Sequence, residues 1–343
     1  MIPGATPAWN NPEGMKYPMT NEPVIQINSL RVGFEMDEGY FRAVDDISFH
    51  VGRGESVGLV GESGCGKSVT ALSLTRLIPS PPGLIESGRV VFDGRDLLAA
   101  APRDLQRIRG ASISMIFQEP LSALSPLHRI GRQMVEGIRF HRDMPKKEAW
   151  AFARSWLAKV GIPDAGERMH AYPFQLSGGM QQRVMIAMAL MLRPSLIIAD
   201  EPTTALDVTT QAQIFGLIRE MKQNDTALLL ITHDMGVVWE MCDRVAVMYA
   251  SKIVESGLLD DIFSAPAHPY TIGLLSAIPK PGLEKKTLSA IPGQVPSPFA
   301  YPRGCNFQDR CAKASNECRE IQPEFEEIAP GHIVACFHAE KGI

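Results

Sequence analysis

The chain has 343 residues, 45% of them hydrophobic, enough for one large domain or two ordinary ones with a proper core. Its 34 basic and 38 acidic side chains give a net charge of -4, so charge does not point to nucleic acid as a partner. The longest apolar run, residues 184–192, falls short of the roughly 18–20 residues a membrane-spanning helix needs, and no basic-then-apolar export signal opens the chain.

In chain order, residues 1–23 read as a disordered leader, with Met15 and Met19 as alternative starts. The protein is expected in the cytosol with reduced thiols, and any membrane-spanning part must come from partners. From 24 to about 265, short apolar runs alternate with helical patterns, as in an α/β sheet protein. Residues 24–32 and 47–51 alternate like half-solvated strands. Residues 56–60, 113–117, 196–199 and 228–231 are continuously apolar, as strands buried on both faces are. These four runs lead into Gly61, Gln118, Asp200 and Thr232. Ligands of open parallel sheets sit beyond the carboxyl ends of strands, so one shared site is expected.

Charged helical sequence from about 118 to 180, such as 146–159, predicts an inserted helical subdomain. After 265 the composition shifts again, with ten prolines between Pro266 and Pro330. That tail, 266–343, is too broken by proline for a long helix or a central strand.

The octapeptide Gly61-Glu62-Ser63-Gly64-Cys65-Gly66-Lys67-Ser68 fits the phosphate-binding pattern G-x-x-x-x-G-K-S between a strand and a helix-like stretch, 67–77. Glycines let backbone N–H groups face the phosphates, and the helix start, with Val69 in its first turn, adds positive potential. Lys67 would reach the β- and γ-phosphates, and Ser68 would ligate Mg²⁺. Cys65, beside Lys67 at a helix N-terminus, is expected to have a lowered pKa and to be alkylated unless ATP shields it. Asp200 and Glu201 close an apolar strand and read as a Mg²⁺ ligand and the base for an attacking water, or as a solvated acidic turn before Pro202. Ser177, Gly178 and Gly179 precede a helix-like stretch at 180–192, which makes a second anion-binding helix start 110 residues after Lys67 (177 − 67). One ATP needs one cradle, so each subunit is expected to lend this turn to the ATP of another.

These stretches resemble the ABC ATPases, with the similarity covering about 24–265. Leu176-Ser177-Gly178-Gly179-Met180-Gln181 is similar to their signature sequence. In the same resemblance Gln118 is the Q-loop glutamine that touches Mg²⁺ or water, Asp200 and Glu201 are the Walker B pair, Asp207 is the D-loop aspartate and His233 the switch histidine. Asp207 reads equally as a helix cap. Phe34 falls at the adenine-stacking position, where the family usually has Tyr; Tyr40 is the fallback and core packing the plain alternative for both. The resemblance implies a P-loop NTPase (RecA-like) core with an antiparallel β subdomain and an inserted helical subdomain. It also implies a head-to-tail dimer that holds two ATPs between Walker and signature residues.

The tail narrows the resemblance. His268-Pro269-Tyr270 reads by itself as a turn, but with Ile291-Pro292-Gly293 and Gly304-Cys305 it resembles the C-terminal extension of oligopeptide, dipeptide and nickel importer ATPases. Cys305, Cys311, Cys318 and Cys336 are spaced C-x5-C-x6-C-x17-C. Disulfides are disfavoured in the cytosol and the zinc-knuckle C-x2-4-C is absent, which leaves a [4Fe–4S] cluster, Zn²⁺ or free thiols; the resemblance favours iron–sulfur. It further implies a peripheral protein on the cytoplasmic face of the inner membrane. The implied partners are a second ATPase subunit, two permease subunits and, indirectly, an extracytoplasmic binding protein, with no nucleic acid. Import of nickel or another small solute, or a soluble non-transport ATPase, are the alternatives.

Overall fold

The computed structural model describes residues 9–10, 16–17, 23–203, 207–222, 225–278 and 291–339. The leader expected over 1–23 therefore lies outside the described residues, except for Pro23 and a two-residue ladder in which Trp9–Asn10 pairs with Lys16–Tyr17. Two compact units divide the chain: one holds the residues up to Leu98 and from Ile231 onward, the other Ala99–Leu230.

In the first unit, Pro23–Met36 and Gly39–Gly52 form a long hairpin, and Gly83–Phe92 and Arg95–Asp96 extend it into a four-stranded antiparallel sheet. Both hairpin strands outrun the 24–32 and 47–51 expected from alternation. The register shifts around Leu30 and Val32, which resets the period-2 pattern. Charged residues then pair across the sheet, Arg31 with Asp46 at 2.7 Å and Arg42 with Glu86 at 2.9 Å.

The same unit holds Ser56–Val60, buried at all five positions, parallel to Arg244–Tyr249 with Val60 opposite Val247. Arg244–Tyr249 pairs antiparallel with Lys252–Leu258, and that strand pairs with His332–Val334, Glu255 facing Val334. The proline-rich tail thus adds His332–Val334 and Glu326–Ala329 to the sheet, two short strands with no proline in either. Its longest helix among the described residues, Pro269–Ser276, has eight residues and starts at a proline, where no amide is lost.

One buried carboxylate fastens that tail. Glu255, fully buried, accepts hydrogen bonds from the backbone N–H of Ala267 (2.7 Å) and His268 (2.9 Å) and meets His332 Nε2 at 2.8 Å. Burial pushes its carboxyl up, but the bonds from His332 and the two amides together outweigh that and hold it below the ordinary value. His268 is buried too. Burial, against the pull of Glu255, lowers its imidazole to about 4. A neutral ring is what its contact requires, because Nδ1 accepts from the Tyr270 N–H at 3.0 Å and caps the Pro269–Ser276 helix.

In the second unit, Ile113–Ile116 runs parallel to Leu196–Asp200, Ile116 opposite Ala199, and the strand that starts at Ala227 lies on the other side of Leu196–Asp200. Ile130–His141 buries Ile130, Met134, Val135 and Ile138, one face of an amphipathic helix. Lys146–Lys159 buries Ala149, Ala153, Trp156 and Leu157, in line with the helix expected at 146–159. Gly178–Leu190 buries Val184, Met185, Ile186, Ala187 and Leu190 around most of its circumference, as a central helix does.

The buried histidine fixes a pH dependence. Its pKa in the fold, about 4, lies below its unfolded value near 6.5, so the stability it contributes is whole above pH 6.5 and lost as pH falls toward 4. Glu255, also depressed, adds to the loss at the acid end. Urea midpoints followed from pH 7 to pH 4 should drop steeply for the wild type and less steeply for His268→Asn, whose amide oxygen caps the helix without titrating.

Candidate nucleotide site

The phosphate loop belongs to the first unit and joins the Ser56–Val60 strand to the Lys67–Leu74 helix. Backbone crowding dictates its glycines. A Cβ on Gly66, whose φ is +109°, would stand 2.1 Å from the Ala43 carbonyl oxygen, and one on Gly61 would stand 2.1 Å from that of Met248. Gly64, at φ +81°, faces open space, which leaves room for a ligand to approach the backbone. No side chain caps the helix, so its first N–H groups are not taken up by a capping residue. Lys67 is only 5% exposed, and its Nζ donates to the carbonyls of Gly61 (2.8 Å) and Glu62 (2.9 Å). The ammonium thus lies within its own loop, beside exposed Ser63 and Gly64, with Ser68 and Val69 half-buried in the first helical turn. Loop amides, a lysine and a helix start suit a polyphosphate.

Cys65 departs from expectation. Its side chain is fully buried, and burial raises its pKa against the smaller, opposing effect of Lys67. The helix-start argument assumed solvent access, which the fold removes.

Among the aromatics, Phe34 is half-buried and stacks on Phe41 at 5.5 Å, and Phe41 meets Phe299 of the tail edge-on at 4.9 Å. Tyr40 lies against Gly33, its hydroxyl donating to the Glu86 carboxylate. His233 is exposed after the buried Ala227–Thr232 strand, and the neighbouring Asp234 caps Met235–Met241 through the N–H groups of Gly236 (2.8 Å) and Val237 (3.3 Å).

In the second unit, the shared register of Ile113–Ile116 and Leu196–Asp200 brings Gln118 and Glu201 off adjacent strand ends. The Gln118 amide donates to Glu201 Oε2 at 3.3 Å. Asp200 is buried, and Glu201 takes a left-handed φ of 43°, a conformation that costs a non-glycine residue about 1–3 kcal/mol. The turn is braced from behind, because the buried Gln182 amide donates to the carbonyl of Pro202.

Ser177 caps the Gly178–Leu190 helix, its hydroxyl accepting from Met180 N–H at 3.4 Å. Ser177 and Gly178 are exposed, and a Cβ on Gly178 would touch nothing, so the chain's own packing does not require this glycine. Gly179 faces Thr210. The Gln181 amide points inward, donating to the carbonyls of Pro173 (2.9 Å) and Leu176 (3.2 Å), so it braces the turn. Asp207 caps Val208–Met221, accepting from the Thr210 N–H (3.0 Å) and hydroxyl (2.7 Å), bonds that lower its pKa. Residues 204–206 of the same motif lie outside the described residues.

Sequence reasoning missed two tail residues that hold the phosphate loop. The Tyr270 hydroxyl accepts the Glu62 N–H at 2.8 Å, and Arg310 grips the Glu62 carboxylate with both terminal nitrogens, at 2.6 and 3.0 Å. The His-Pro-Tyr stretch therefore has a job: His268 caps the helix, Pro269 starts it, and Tyr270 is carried to the loop.

All six cysteines are thiols. Burial, then the neighbouring cysteines, pushes Cys305 and Cys336 up to about 11, and Cys311 is raised by burial and Cys318. The four are thus close enough to influence one another. Among the described residues, however, no group of three or more His, Cys, Asp or Glu is arranged to hold a metal ion, so the expected [4Fe–4S] or Zn²⁺ set is not preformed.

A glycine loop between a buried strand and a helix start, in an α/β fold, defines a P-loop nucleotide-binding protein. Two family descriptions match the chain: ABC transporter, over residues 44–204, and oligopeptide/dipeptide transporter C-terminal region, over 254–318. The probable peptide ABC transporter ATP-binding protein y4tR of Sinorhizobium fredii is 47% identical over 321 residues, covering 93% of this chain and 96% of its own. The oligopeptide transport ATP-binding protein OppD of Salmonella typhimurium is 46% identical over 315 residues, covering 92% and 93%. Among solved structures, the dimeric ATP-binding cassette MJ0796 bound to ADP and Pi aligns with a TM-score of 0.61 at 26% identity, covering 68% of this chain and 98% of that one. The chain belongs to the ATP-binding proteins of the oligopeptide/dipeptide ABC transporter family.

The burial of Cys65 reverses its expected reactivity. In the native protein a maleimide should modify Cys65 more than tenfold more slowly than in urea, with or without ATP, when modified peptides are counted by mass spectrometry. Fast native labelling that ATP suppresses would restore the low-pKa reading.

Proposed function

We propose that this chain is the ATP-hydrolysing subunit of an importer that takes up di- or oligopeptides, working as a dimer beneath two permease subunits. One observation carries the reading: the ATPase core and the importer-type C-terminal region stand on a single chain, matched by peptide-transport ATP-binding proteins along more than nine-tenths of its length. Among the described residues no helix is long and apolar enough to cross a membrane.

In the proposed mechanism, the amides of Gly61 and of residues 63–69 and the Lys67 ammonium hold the triphosphate, and Phe34 stacks on adenine. Ser68 and Asp200, with Gln118 nearby, would hold Mg²⁺, which would supply positive charge to the phosphates. Glu201 takes the proton of the attacking water, and His233 steadies the γ-phosphate. The open turn at Ser177, Gly178 and Gly179 presents its N–H groups to ATP on the other subunit, which explains a glycine its own fold does not need. Closure around two ATPs would drive the permease, and hydrolysis would reopen the pair.

For the tail, we propose, from the resemblance to the importer ATPases, that Cys305, Cys311, Cys318 and Cys336 take up a [4Fe–4S] cluster, which would require them to rearrange because no metal set is preformed among the described residues; no step above depends on it. Iron and acid-labile sulfide analysis after anaerobic purification tests this, with four of each per chain expected and stoichiometric zinc pointing the other way.

Two substitutions separate the half-sites. Glu201→Gln should cut kcat for phosphate release by about 10²–10⁴-fold while ATP binding persists. Ser177→Arg should abolish turnover yet leave the isolated chain's affinity for ATP near wild type. Full turnover in the Ser177→Arg protein would contradict a shared site.

A further inference from the structure

Glu62 is a carboxylate in the middle of a loop built for anions, and each of its polar groups is engaged. Its carbonyl accepts from Lys67, its N–H donates to Tyr270, and its carboxylate receives both arms of Arg310. Two of the three partners come from the C-terminal region. Arg310 is itself held on every side, its side chain only 4% exposed. Its Nε donates to the carbonyl of Pro292 at 2.8 Å, and its planar head lies over the rings of Tyr249 (5.7 Å) and Phe307 (5.9 Å). Asn306, four residues earlier, ties the same segment to the carbonyl of Ala250 at 2.7 Å.

An arginine so fixed is a rigid, charge-matched clamp, and the two-pronged geometry sets both the direction and the charge of the carboxylate. Without it, Glu62 would present an uncompensated negative charge to a triphosphate only a few residues away along the loop. Repulsion between unit charges several ångströms apart in a partly screened site amounts to about a tenfold or larger change in affinity.

We propose that Arg310 is a positioning residue for ATP: it holds Glu62 aside and cancels its charge, so the C-terminal region sets the affinity of the phosphate loop. The proposal rests on the reading of residues 61–68 as the ATP loop. Tyr270 fixes the backbone of Glu62 and Arg310 its side chain, and a loop with Glu62 masked accepts the phosphates that an unmasked one repels.

Calorimetric titration of the full chain with ATP and Mg²⁺, paired with steady-state phosphate release, tests the proposal. Arg310→Met should raise Kd and KM about tenfold while kcat changes less than twofold. Adding Glu62→Gln to Arg310→Met should recover most of that loss, because the charge to be masked is gone. Glu62→Gln alone should bind ATP a few-fold more tightly than wild type, a result that can be read even if Arg310→Met does not fold. Wild-type affinity in Arg310→Met, no recovery in the double variant, or weaker binding by Glu62→Gln would each overturn the proposal. Lys67→Ala is the control for the underlying reading. Its loss of ATP binding keeps the loop assignment and lets the other variants judge Arg310, whereas wild-type binding by Lys67→Ala would defeat the loop assignment itself.

Discussion

The approach of two carbonyl oxygens to the phosphate loop governs much of the first unit. Ala43 and Met248 lie so close to Gly66 and Gly61 that no side chain fits at either position. Ala43 belongs to the antiparallel hairpin and Met248 to the Arg244–Tyr249 strand that runs beside Ser56–Val60. Crowding from two sheets forces the backbone to curl and keeps side chains off Gly61 and Gly66. Hydrogen bonds reinforce it: Ser251 donates its N–H to the Cys65 carbonyl at 3.0 Å and accepts from the Asp45 N–H at 2.9 Å. The anion cradle is thus a product of packing, set by neighbours distant in sequence.

The tail continues the same logic. Glu255 fastens its first helix and its last strand through one buried carboxylate, and that anchorage carries Tyr270 to the loop. A segment with many prolines and little regular structure is thus tied to the core by polar contacts, alongside buried Tyr270, Phe307, Ile333 and Val334. Conversely, the second unit stores local strain at Glu201, where a left-handed residue follows a buried strand and Gln182 braces the turn. Such strain persists only where the surroundings over-determine the backbone, a pattern common at reacting groups.

Much of this was legible in the sequence because the chemistry is written in short, contiguous stretches. Residues 61–68, the strand at 196–199 ahead of Asp200 and Glu201, and the helix start after Ser177 all fall where spacing and apolar runs placed them. Four features were hidden. The hairpin strands were longer than alternation suggested, because bulges shift the phase and ion pairs occupy the solvated face. The Arg244–Tyr249 and Lys252–Leu258 strands were not singled out at all, although both are largely buried. The reactivity of Cys65 was read from its neighbours along the chain, while burial, a property of the fold, decided it. The contacts of Tyr270 and Arg310 with Glu62 were hidden for a related reason: their partner lies 208 and 248 residues away in sequence, and no local pattern reports such a pairing.

The fold, including its C-terminal region, holds the phosphate loop in place before any nucleotide arrives. Hydrogen exchange at the Glu62 amide in the nucleotide-free protein measures this most directly, since that N–H is bonded to the Tyr270 hydroxyl. Exchange slowed by orders of magnitude relative to an unstructured peptide, with no ATP present, is the expected result. A Glu62 amide that exchanges at the rate of a free peptide until ATP is added would contradict it.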